Sequence, residues 1–167
     1  VLLSNSEEVF ENKPLEYVSG TSSNDANHIS GPSRTGEGLF RTVNRTLKQG
    51  GLSASAIDYI SAHGTATLYN DDMESIAFSR LGMSKIKLNS MKGYFGHTLG
   101  AAGLIEVAMA MQSLRNQTLI ASRGSTATGT VEPLNVLLET EHVSFTTFLK
   151  TASGFGGGNA SLIIRKR

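Results

Sequence analysis

Three glycine-flanked clusters hold the residues best suited to chemistry: Ser61-Ala62-His63-Gly64-Thr65-Ala66-Thr67, Lys92-Gly93-Tyr94-Phe95-Gly96-His97 and Gly154-Phe155-Gly156-Gly157-Gly158-Asn159. Each follows a segment that reads as a strand. In α/β sheets ligands gather beyond the carboxyl ends of strands, so the three loops are placed to share one pocket. His63 titrates near neutrality and can donate or accept a hydrogen bond, although a satisfied loop histidine is an equal reading of the residue alone. His97 precedes an apolar segment expected to be helical, whose positive end disfavours the imidazolium. A neutral ring there either caps a turn or donates one hydrogen bond. Two such donors aimed at one oxygen stabilise a developing enolate or oxyanion.

Glu106 is the only carboxylate between Gly93 and Leu114, on a segment otherwise made almost wholly of apolar or small residues. A buried, unpaired carboxylate costs several kcal/mol or becomes neutral, and Lys92 is the nearest basic residue in sequence. A Lys92–Glu106 ion pair is expected, the alternatives being a purely architectural pair or a Glu106 that reaches the surface. Asp71 and Glu74 are spaced as in a capping box, so helix capping is preferred to acid/base chemistry. The Gly154 to Asn159 run lacks the last glycine of a dinucleotide motif and leads into a strand, which argues against nucleotide binding. Its glycines let backbone N–H groups approach a ligand, with Phe155 as an apolar wall, or form an ordinary bend. His28 and His142 have no metal-ligand spacing and read as surface residues.

The elements that must position these residues follow from periodicity. Strands are expected at 1–3, 15–19, 57–61, 86–89, 145–152 and 160–164, and a long polar loop at 20–36. Helices are expected at 37–49, where Gly50-Gly51 provides a stop, at 71–81, and at 98–114, the last apolar on nearly every face and so expected to be central. The alternation implies one α/β domain over 1–167 with a layered, mostly parallel sheet and an antiparallel C-terminal strand pair. With 167 residues, 39% of them hydrophobic, there is material for one core. Fifteen Lys and Arg against fourteen Asp and Glu leave a net charge of +1, which gives no field for nucleic acid or an anionic membrane. The stretch 98–111 is shorter than the roughly 20 residues of a bilayer span and contains Glu106. With no secretory pattern at the start, a cytoplasmic location is expected. Cysteine is absent, so the chain has no thiolate nucleophile, disulfide or cysteine-held metal.

Together, His63-Gly64-Thr65-Ala66-Thr67, Lys92 to His97 with Leu99-Gly100-Ala101-Ala102-Gly103, and Gly154-Phe155-Gly156-Gly157 resemble the β-ketoacyl-acyl carrier protein synthases. The resemblance runs through Asp25, His28 and Pro32 to Asn159-Ala160-Ser161-Leu162, and corresponds to the C-terminal half of that family alone. It implies one half of a thiolase-like fold and a part in decarboxylating Claisen condensation, in fatty acid or polyketide-type synthesis. It assigns His63 and His97 to the malonyl thioester carbonyl, Lys92 and Glu106 to the site's lysine and its glutamate, and Thr65 and Thr67 to the phosphopantetheine arm. Phe155 becomes the gating phenylalanine, its N–H part of an oxyanion hole. Ser153 departs from the pattern, standing where many members carry a second phenylalanine. The implied partners are acyl carrier protein, whose phosphopantetheine arm carries the substrate, an N-terminal half with the nucleophilic cysteine, and a second copy of the whole enzyme. No cofactor is expected on the chain itself, and alone it is expected not to condense substrates. The alternative is a non-catalytic module that docks acyl carrier protein or serves as a heterodimer partner.

Overall fold

A computed structural model describes residues 2–11, 13–126 and 129–167. Its main sheet is built from β1 (Glu16–Asn24), β2 (Tyr59–Ser61), β3 (Lys87–Asn89), β5 (Asn135–Val136), β7 (Thr147–Gly154) and β8 (Gly158–Arg165), in the order β1-β8-β7-β2-β3-β5. The β7–β2, β2–β3 and β3–β5 pairings are parallel, whereas β8 pairs antiparallel with both β7 and β1. The expected closing pair is therefore an antiparallel unit of three strands. Short strands β4 (Thr118–Leu119) and β6 (Glu141–His142) form a separate antiparallel ribbon.

Helices cover both faces, which is why the central strands are apolar at successive positions instead of alternating with polar residues. Ile60, Leu149 and Ile163 pack with Leu39, Val43 and Leu47 of α1 (Glu37–Gln49) and with Met73, Ala77 and Phe78 of α2 (Leu68–Arg80). Their chain neighbours Tyr59, Phe148 and Ile164 point the other way, onto Val107, Ala110 and Leu114 of α4 (Ala102–Asn116). The short helix α3 (Lys92–Phe95) follows β3.

Strand β1 runs five residues into the stretch expected to be loop. The reason is a polar interface that hydropathy does not mark: Ser19, Thr21 and Ser23 donate hydroxyl hydrogen bonds to the carbonyls of Thr46, Thr42 and Gly38, at 2.8, 2.9 and 2.7 Å. Two strand residues rise about 6.7 Å and four helical residues about 6 Å, so steps of two on β1 match steps of four on α1. Asp25 then accepts the N–H groups of Gly38 and Ser33, closing the start of α1; a Cβ on Gly38 would lie 2.0 Å from its Oδ1.

The strand expected at 1–3 begins at a residue outside the described ones, and Leu2 and Leu3 are exposed and unpaired in the sheet. The expected helix at 98–114 starts late. Thr98 and Leu99 both take left-handed conformations (φ 50° and 48°), a one-turn 3-10 segment follows at Leu99–Ala101, and only then does α4 begin. Nor is α4 enclosed: one face lies on the sheet while Leu104, 60% exposed, and the preceding Leu99, 81% exposed, face outward.

Candidate active site

Strands β7, β2 and β3 run parallel side by side, so the three expected loops leave from the same, carboxyl, end of these strands. After β2 the chain passes through Ala62 into His63, which is only 5% exposed. Glu74 of α2 turns back to hold this loop, its Oε1 accepting the His63 N–H at 2.9 Å and its Oε2 the Gly64 N–H at 2.6 Å. Asp71 accepts the Thr65 N–H at 3.2 Å. The two carboxylates thus bond the loop before α2 and do not form the expected capping box; the helix begins at Leu68, with Thr67 at its cap, so both lie inside it. Burial pushes the Glu74 carboxyl above its ordinary range despite its two backbone donors. Gly64 is required here: φ is +44° and a Cβ would meet the Ser90 Cβ at 2.5 Å.

The Lys92–Glu106 pair forms, with Lys92 Nζ 2.5 Å from Glu106 Oε1 and both side chains buried. The same ammonium donates to the His63 carbonyl oxygen at 2.5 Å and lies 3.3 Å from His63 Nδ1. An ammonium only donates, so Nδ1 accepts and the proton of the neutral imidazole sits on Nε2. Burial, followed by the charges of Lys92 and Lys150, holds His63 down to about 3, so the ring is neutral at physiological pH. His97 meets it edge to face, with ring centroids 5.2 Å apart. Residues 98–101 separate His97 from α4, so the helix expected to follow it directly begins four residues later.

His63, Thr65, Thr67, His97, Ser153 and Phe155 line one open cleft of about 1780 Å³. Lys92 and Glu106 stand behind His63, away from the cleft wall. Thr65 and Thr67 share a 2.7 Å hydroxyl contact. Phe155 is 87% exposed at the tip of the β7–β8 turn, which is tied to the loop after β1 by hydrogen bonds from Gly156 N–H to the Ile29 carbonyl and from Asp25 N–H to the Gly157 carbonyl. Ser153 bonds Asn159 Oδ1 at 2.8 Å. His28 and His142 are exposed, as expected.

Lys150 is the residue that sequence reasoning missed. Its Nζ lies 2.7 Å from Glu106 Oε2 and donates to the carbonyls of Ser61, Ala62 and Thr151. A signal existed: Lys150 follows Phe148 by two in a strand buried on both faces, so it points toward the helix that carries Glu106.

Residues 17–126 match the family model described as beta-ketoacyl synthase, C-terminal domain, and the chain belongs to that family. It is 39% identical over 156 residues to the 3-oxoacyl-[acyl-carrier-protein] synthase 2 of Rhizobium meliloti, covering 86% of this chain and 35% of that protein. Among solved structures, a ketosynthase, ApeO, in complex with its chain length factor, ApeC, from Xenorhabdus doucetiae superposes with a TM-score of 0.86 at 31% identity, covering 94% of this chain and 40% of that one. A type II polyketide synthase acyl-carrier protein in complex with its ketosynthase, AntDE:AntF, matches with a TM-score of 0.85 at 29% identity, over 92% of this chain and 38% of that one. The fold is thiolase-like, and the chain spans well under half the length of these relatives. Among the described residues no helix is long and apolar enough to cross a membrane.

Proposed function

We propose that this chain supplies the decarboxylation half of an acyl carrier protein-dependent condensing enzyme. The observation that carries the reading is the orientation of His63: Lys92 occupies Nδ1, so the imidazole keeps its one proton on Nε2, the ring atom with no protein partner among the described residues. His63 and His97, both on the cleft wall, would donate to the carbonyl oxygen of a malonyl thioester. As the carboxylate leaves as carbon dioxide, the bonding pair passes into the enolate, whose oxygen the two donors stabilise. The enolate carbon then attacks an acyl thioester, and the thiolate departs with the electron pair. The chain has no cysteine, so that thioester belongs to a partner half.

The phosphopantetheine arm would run past the hydroxyls of Thr65 and Thr67, with Phe155 at the mouth. Lys92 and Glu106 act on His63 and not on substrate. The apolar residues left outside by this fold, Leu99, Leu104, Tyr94 and Phe95 among them, are read as the seat of the missing half, in a cytoplasmic enzyme that dimerises as a whole. The test is carbon dioxide release from malonyl-acyl carrier protein by the protein that carries this chain. His63→Ala should cut it about 10²- to 10³-fold. Undiminished release by both His63→Ala and His97→Ala refutes the catalytic reading and leaves a docking module.

A further inference from the structure

Lys150 takes no part in the reaction above, yet its side chain is 3% exposed and reaches the centre of the site. Its ammonium lies within hydrogen-bond distance of three carbonyls, those of Ser61 at 3.2 Å, Ala62 at 3.0 Å and Thr151 at 2.6 Å. Glu106 Oε2 lies 2.7 Å from the same ammonium, and among the described residues Lys150 is its one cationic partner. Two of the three carbonyls belong to the residues that lead directly into His63, while Glu106 Oε1 is left to Lys92, which grips His63 from the other side. A lysine kept for stability alone is unexpected at this position, since well-packed apolar residues commonly replace buried ion pairs without loss, and the Phe148 side of β7 is otherwise apolar.

We propose that Lys150 is a positioning residue for His63: it fixes the backbone before the histidine and Oε2 of Glu106, so that Lys92 meets Nδ1 and the Nε2 proton faces the cleft. The functional consequence rests on the reading of His63 as a donor; the geometry does not. The charged and titratable groups around His63 are Lys92 after β3, Lys150 on β7, Glu106 on α4, Glu74 on α2 and the ring of His97. Among them Lys150 adds to Lys92 in opposing a charge on the imidazole.

The experiment is ¹⁵N NMR of the imidazoles against pH in the protein that carries this chain. In the wild type His63 should show the Nε2–H tautomer and stay neutral below pH about 5. In Lys150→Met its half-protonation point should rise by about one pH unit or more, with Nδ1–H tautomer entering the mixture. If the Met variant does not fold, Lys150→Gln keeps two donors without the charge and should give the same shift. A folded variant whose His63 titrates and tautomerises as in the wild type overturns the proposal, and so does a wild-type His63 that carries its proton on Nδ1 or charges above pH about 5.5. Carbon dioxide release by His63→Ala is read separately: if it is unchanged while Lys150→Met moves the His63 titration, the functional reading fails and the positioning role stands.

Discussion

Replacing Glu106 by Gln removes the one carboxylate within 4 Å of two buried ammonium groups among the described residues, Lys92 at 2.5 Å and Lys150 at 2.7 Å. The Gln oxygen can still accept from Lys92, which retains part of the interaction. What is lost is the compensating charge: Glu106 and the buried Glu74 now offset the two lysines, and the variant carries an excess cation in the interior. Breaking a buried ion pair from one side costs about 3–5 kcal/mol, and the retained hydrogen bond places the expected loss near the lower end, about 3 kcal/mol. That is a large share of the roughly 5–15 kcal/mol that holds a domain together. The pH dependence has a definite sign. Burial already holds the folded Lys150 below its ordinary value, and without the opposing charge of Glu106 it falls further, so the unfolded state binds more protons and stability recovers as pH rises. Urea denaturation at pH 7 and pH 10 should show the gap between variant and wild type narrowing. A loss under about 1 kcal/mol, or one that is constant across this range, refutes the account of the cluster.

Because the folded His63 is held down to about 3 while its ordinary value is 6.5, the wild type should lose stability as pH falls through that window and level off above it. Relative to His63→Gln, the added slope should approach about 1.4 kcal/mol per pH unit, measured by denaturation at several pH values. Gly64→Ala should destabilise by more than about 2 kcal/mol, because a left-handed backbone and a 2.5 Å approach to Ser90 act together; Ser90→Gly should recover part of the loss in melting experiments. Leu104→Arg should change the chain's own stability by less than about 0.5 kcal/mol, since the side chain is 60% exposed, yet weaken association with the partner half in light scattering.

Where apolar periodicity dictates an element, the sequence was legible. The helix at Glu37–Gln49 falls at its expected bounds, because an apolar stripe and a glycine pair act in the same direction. Glu106 was equally plain, since a lone carboxylate on an apolar helix requires a cation. Strand β1 was cut short because Ser19, Thr21 and Ser23 pack through hydroxyls and not through apolar surface. The expected capping role of Asp71 and Glu74 was local, whereas their partners lie in the loop before the helix. Alternation with Phe148 aims Lys150 at the helix of Glu106, but its carbonyl acceptors leave no mark in the sequence, since any sequence supplies carbonyls and their convergence is a property of β2 and β7 being adjacent. The helix at 98–114 was expected to be enclosed from its composition, but composition does not say which chain covers an apolar face.

The buried charges converge on one residue. Glu74 takes the His63 N–H, Lys92 takes the carbonyl oxygen and Nδ1, and Lys150 takes the two carbonyls just before it. Every polar atom of His63 except Nε2 is therefore held by a charged group. Such an arrangement is expensive to bury and adds little net stability over an apolar core. It does fix a ring in one tautomer and one direction, at neutral charge, without depending on solvent. A nucleophile or a proton shuttle would be hindered by those constraints, because each must change its protonation state during the reaction. A hydrogen-bond donor to a developing anion changes none of its own bonds, so this is the chemistry for which so rigid a histidine is suited.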